Sequence, residues 1–87
     1  WYTILNMRFV KDEFFKLGAR RFKILTGMVF LPNVPDYEKQ AGNAVEFVEL
    51  TSEKELGETT WIETGNPIIK TKRYLYELIS KGELILE

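Results

Sequence analysis

The chain has no cysteine and no histidine among its 87 residues. Without cysteine there is no disulfide, no thiolate chemistry and no cysteine zinc site. Without histidine the commonest general base and the commonest transition-metal ligand are gone. A serine or cysteine triad of the usual kind cannot be assembled. The six glycines are isolated and fall into neither GxGxxG nor GxxxxGK[ST], so no phosphate-cradling loop is expected. Oxygen ligands in EF-hand spacing are missing too. No apolar run approaches the roughly 20 residues that cross a bilayer, and no signal peptide is recognisable before the first polar residues. The expectations are therefore a protein that is not an enzyme, with no metal, no cofactor and no membrane partner, intracellular or virion-associated rather than secreted.

What is present points to an ordered fold. Hydrophobic residues make up 45% of the chain and aromatics 14%, enough apolar mass to offset chain entropy. The length suits a single domain over residues 1–87. Net charge is −1, but it is unevenly placed: residues 1–31 carry +4, residues 32–66 carry −6 and residues 67–87 carry +1. Such polarity steers partners or orders head-to-tail packing, unless the segments share faces and form an ordinary solvated surface.

Along the chain, residues 2–10 read as a first strand, with Leu5, Met7 and Phe9 on one face. Residues 11–18 read as a short helix capped by Asp12 and closed by Gly18, or as a plain turn. Residues 20–31 read as two strand pieces joined at Thr26-Gly27 by a turn or a bulge, with Met28 to Leu31 a strand buried on both faces or entering the core. Two prolines make residues 32–43 the main loop. Residues 44–50 form a strand, and residues 51–58 a helical turn or a hairpin connection. Residues 59–63 and 68–70 are strands about a turn at Thr64-Gly65-Asn66-Pro67.

The C-terminal segment carries the clearest local signals. Thr71 suits an N-cap, Tyr74, Leu75, Leu78 and Ile79 form one apolar stripe, and Gly82 stops the helix after Lys81. A helix over 72–81 and a final strand over 84–86 follow. The fold class is α+β, a small strand-rich antiparallel sheet or partly open barrel with one C-terminal helix. The order of elements from Thr59 to Glu87, carried by Gly65, Ile68, Ile69, Thr71, Leu75, Leu78, Ile79, Gly82 and Leu84, resembles small accessory domains encoded by bacteriophages. That resemblance covers a third of the chain. It implies a viral or structural-accessory setting and assigns no active site.

Two functional readings follow. The first is a non-catalytic protein-interaction or assembly module, acting on a protein partner or by self-association. Trp1, Tyr2, Tyr37, Trp61 and Tyr76 are many amphipathic aromatics for so small a core, and such residues are enriched at interface hot spots. The alternative is a small nucleic-acid-binding domain. Arg20, Arg21 and Lys23 flank Phe22, and Lys72 and Arg73 adjoin Tyr74, so cations and rings are interleaved as phosphate tracking and base stacking require. The acidic pI of about 5.5 argues against it. Carboxylate pairs are the last catalytic option, but Glu46 and Glu49 point to opposite faces of a strand.

Overall fold

The computed structural model describes residues 9–39 and 42–87. The strand expected over residues 2–10 lies outside them except for Phe9 and Val10, which are not in a strand. Among the described residues there are five strands: β1 (Phe14–Leu17), β2 (Arg20–Val29), β3 (Ala44–Glu55), β4 (Glu58–Thr71) and β5 (Leu84–Leu86). In the same residues one α-helix, α1 (Lys72–Ser80), connects β4 to β5, and a 3₁₀ turn at Asp36–Glu38 lies in the long loop. The strands form one open antiparallel sheet in the order β4-β3-β2-β1-β5. The α+β expectation holds, with β4 and β5 left as edges rather than joined into a barrel.

The core lies between one face of this sheet and α1. Phe15 of β1, Phe22 and Ile24 of β2, and Val45 and Phe47 of β3 face Leu75 and Tyr76 of the helix, all at most 6% exposed. The rings of Phe15, Phe22 and Phe47 meet in one cluster. Phe15 stacks on Phe22 at 5.1 Å between centroids, and Phe47 turns its edge to both at 5.1 and 5.5 Å. Each such pair contributes about 0.5–1.5 kcal/mol beyond the area it buries.

That cluster explains why residues 11–18 are not helical. In a strand Phe15 and Leu17 point the same way, into the core, while Phe14 and Lys16 point away. Asp12 caps no helix; its backbone is left-handed at φ 70°, and its N–H donates to the Ile24 carbonyl at 2.8 Å. Gly18, expected to end a helix, instead occupies the tight β1–β2 connection at φ 64°. Burial of Phe15 between Phe22 and Phe47 outweighs the local helix signals.

Two expected interruptions become irregularities within continuous strands. At Thr26-Gly27 the structure has the bulge, not the turn, of the two expected readings: β2 is undivided and its pairing with β3 shifts register there. A side chain at Gly27 would place its Cβ 2.0 Å from the Phe9 carbonyl oxygen, so two backbones approach closely at this bulge. The Thr64–Pro67 turn is likewise absorbed into β4, where Glu49 pairs with Thr64 and Phe47 with Ile68, two residues of β3 against four of β4. Gly65 takes φ 77° there, and Pro67 is tolerated because β4 is an edge. Met28 and Phe30, expected to enter the core, are 72% and 52% exposed, since β2 leaves the sheet at Val29.

The helix matches its local signals. The Thr71 hydroxyl accepts from the Tyr74 N–H at 3.2 Å. Gly82, at φ 75°, donates to Ile79 at 3.0 Å and Glu83 donates to Leu78 at 2.9 Å, the pair of bonds that defines a Schellman stop. Its buried stripe differs by one residue: Tyr76 is inside and packs 5.7 Å from Phe9, while Tyr74 is 45% exposed. Asn43 anchors the long loop, its amide accepting from the Leu31 N–H at 2.8 Å and donating to the Leu31 carbonyl at 2.9 Å.

Candidate interaction surface

β3 passes through two different environments. Its first seven residues, Ala44–Leu50, lie between β2 and β4, and five of them are buried. Past Leu50, β2 has ended, and β3 pairs with β4 alone from Thr51↔Ile62 to Glu55↔Glu58. Residues 51–63 are exposed throughout. They form a two-stranded arm that extends from the sheet for roughly 20 Å at about 3.3 Å per residue, and the molecule is correspondingly long, 51 × 24 × 16 Å.

The tip of the arm is Leu56-Gly57. Both residues have positive φ, 53° and 83°, as a two-residue turn of the primed kind demands. Asn-Gly or Asp-Gly would satisfy that geometry at little cost. A leucine there costs about 1–2 kcal/mol of backbone strain, and its side chain is 100% exposed. Four glutamates, Glu53, Glu55, Glu58 and Glu63, and one cation, Lys54, make the arm acidic.

Trp61 sits near the base of the arm on the face opposite α1, 45% exposed. The Arg21 guanidinium lies between two rings, 4.5 Å from the Phe14 centroid and 4.6 Å from that of Trp61. The same group donates to the Glu87 carboxylate at 2.8 Å. This link holds the Glu87 carboxyl below its ordinary pKa, chiefly through the hydrogen bond from Arg21. One arginine thus ties β1, β2, β4 and the C-terminal residue together across the sheet. Leu50 and Val48, opposite Arg21 and Lys23, are buried on this face, which explains why β3 alternates only partly.

The basic trio does not form one surface. Arg20 faces the helix side, while Arg21 and Lys23 face the other. Each has a carboxylate: Arg20 donates two bonds to Glu49 at 2.7 and 2.8 Å, and Lys23 lies 3.5 Å from Glu63 and 3.6 Å from Asp12. The bond from Arg20 lowers the Glu49 pKa, and Glu49 raises that of Arg20. Phe22, the ring between these cations, is 2% exposed and offers no stacking surface. On the helix, Lys72 is half-buried, and burial lowers its pKa. Arg73 lies 3.7 Å from Glu77 and 5.5 Å from the Tyr37 centroid.

The candidate interface aromatics are equally dispersed. Trp1 and Tyr2 fall outside the described residues. Tyr37 is 64% exposed in the long loop, and Trp61 is half-exposed at the arm. Tyr76 does not belong with them: at 6% exposed it completes the core, and burial raises its pKa. Its place at the centre of the helix's inner face follows from the one-residue rotation of the apolar stripe.

An apolar cleft of about 180 Å³ opens between α1 and the sheet. Phe47, Ile68, Leu75 and Leu78 line it, and Arg20 and Lys70 stand at its sides. Lys70 lies over the Tyr74 ring at 5.1 Å and has no carboxylate partner among the described residues. Neither Leu56 nor Lys70 stood out in the sequence. The Leu-Gly pair at a hairpin tip was the available signal for the first; the second required knowing which strand lay beside the helix. Among the described residues no three carboxylates converge as a metal ion would need, and no helix is long and apolar enough to cross a membrane. No protein-family model matches the chain, and neither does any curated protein or solved structure.

Proposed function

We propose that this protein is a non-catalytic docking module whose contact element is the β3–β4 arm. The observation that carries this reading is Leu56, a fully exposed leucine held in a left-handed conformation at the tip of a hairpin whose other apolar side chains, Trp61 and Ile62, lie near its base. Among the described residues nothing packs against that side chain. Glycine or asparagine would close the same turn with less strain. An isolated two-stranded ribbon is marginal in water, and a partner that covers the arm would stabilise it. Such a role suits the accessory or assembly setting that the C-terminal third implies by resemblance. A nucleic-acid role draws less support, because the three central cations are already held by carboxylates and the extended arm is acidic.

A photo-crosslinking side chain at position 56 tests this reading against the same group at Met28, an exposed site at the far end of β2. The purified protein and an extract of its native cells are both irradiated. Protein adducts from position 56 that are absent from position 28 are expected. Equal adducts from both sites, or none from either, would remove the arm as a docking element.

A further inference from the structure

Resting on the docking reading, we infer that the arm's partner is a second copy of the same chain, with Leu56 of each copy seated in the cleft between α1 and the sheet of the other. The two surfaces are complementary in shape and charge. The tip of the arm presents one aliphatic side chain, flanked by Glu55 and Glu58 with Glu53 behind them. The cleft is apolar within, and its uncompensated charge is the Lys70 ammonium. Its volume of about 180 Å³ is ample for an aliphatic side chain, since an apolar cavity of roughly 150 Å³ holds a benzene-sized group.

Placement favours reciprocal exchange over an open chain. Arg21 pairs with Leu50, the last residue of β3 to meet β2, so its neighbour Arg20 stands at the foot of the arm. Arg20 also lines the cleft. The cleft thus opens at the foot of the arm and runs back along the sheet to Lys70, which pairs with Val45, and a twofold axis beside the arm lays each arm along the other copy's cleft. Twofold dimers are the commonest closed assembly. The exchange covers the exposed Leu56, brings glutamates beside Lys70 and gives the ribbon a surface to rest on.

Sedimentation velocity of the whole chain over a concentration series, at low and high salt, tests this. Mass should rise from monomer to dimer with concentration, and the transition should move to higher concentration with salt, because exposed charges are screened. Leu56→Asp removes a buried leucine from each of the two contacts and should weaken dimerisation at least roughly a hundredfold. Lys70→Glu should weaken it by about tenfold, as a like charge meets the glutamates. Both positions are exposed in the single chain, and circular dichroism verifies that each variant stays folded.

Exchanging the charges gives the decisive reading. Lys70→Glu combined in one chain with Glu55→Lys and Glu58→Lys restores opposite charges across each contact, so this chain should associate more tightly than Lys70→Glu alone. A charge-exchanged chain no tighter than Lys70→Glu would overturn the arm-in-cleft pairing. So would a dimer indifferent to Leu56→Asp. A wild-type monomer at every concentration, with position 56 crosslinking to a different protein in extract, would overturn the second copy as partner and leave the docking reading standing. Absence of any adduct from position 56 would remove both.

Discussion

β3 runs through two different proteins in effect. Its first half, AVEFVEL, sits in the middle of the sheet with Val45 and Phe47 against the helix and Val48 and Leu50 buried on the opposite face. Its second half, TSEKE, has a single neighbour and no burial. Backbone pairing is continuous across the boundary, so hydrogen bonding does not distinguish the halves. Side-chain burial does: apolar area removed from water stabilises by about 25 cal/mol per Å². The packed half holds the fold and the arm is held by it. A region that contributes little to stability is free to carry exposed apolar surface and backbone strain, and both are found at Leu56.

The contrast is sharpest where burial is complete. Ile24→Ala, at 0% exposed in the packed half, should cost about 2–5 kcal/mol. The measurement is denaturant unfolding followed by tryptophan fluorescence. A loss below 1 kcal/mol, of the size surface substitutions give, would mean that the core is not where the strands place it.

Gly27→Ala probes the backbone packing of the same region. The added methyl meets the Phe9 carbonyl, and the displacement should cost about 1–3 kcal/mol. Unchanged stability would show that the segment at Phe9 yields freely and is not part of the packed half.

In the arm the sign reverses. At concentrations where the chain is monomeric, Leu56→Gly relieves the left-handed strain and removes no buried contact, so the protein should gain about 1 kcal/mol. The arm's amides should also exchange with solvent faster than those of Ala44–Leu50, since ribbons without packed faces open locally. If Leu56→Gly destabilises the protein, the tip is supported from within the chain and the comparison fails.

The smallest effect concerns the tie between the regions. Glu87, with its pKa lowered by Arg21, contributes stability at pH values above its unfolded pKa. That contribution is lost as pH falls through the folded value. Glu87→Gln should therefore flatten the acid limb of a stability–pH curve and leave stability at low pH unchanged. Because the pair is open to solvent, its neutral-pH cost should stay within about 1 kcal/mol. An unaltered acid limb would show that Arg21 is positioned by Phe14 and Trp61 alone.

Much of the strand-rich architecture was readable along the chain, and most of the interaction surface was not. Strands at 44–50, 59–63, 68–70 and 84–86 all appear, and Thr26-Gly27 takes the bulge of its two readings, but the turn signal at Thr64–Pro67 marks a bulge rather than a break. Glycine and proline report that backbone geometry departs from a flat strand; they do not say whether pairing resumes beyond. Arg20, Arg21 and Lys23 read as a basic cluster because their carboxylates, Glu49, Glu87 and Glu63, are distant in sequence. Tyr76 read as a surface residue because a one-residue rotation of the helix decides which tyrosine faces Phe9.

By itself the sequence determined the exclusions and the helix. Missing residue types exclude thiol and imidazole chemistry outright. Thr71, the apolar stripe and Gly82 specify α1 through contacts within a few residues, where backbone bonds close locally. Only the tertiary structure decided that residues 14–17 are a strand, that β4 is unbroken, and that β3 leaves the core after Leu50. Each of these depends on which distant strand lies alongside. A residue's own propensity amounts to less than about 1 kcal/mol, whereas burying one phenylalanine contributes about 1.5–3 kcal/mol, so the neighbour prevails.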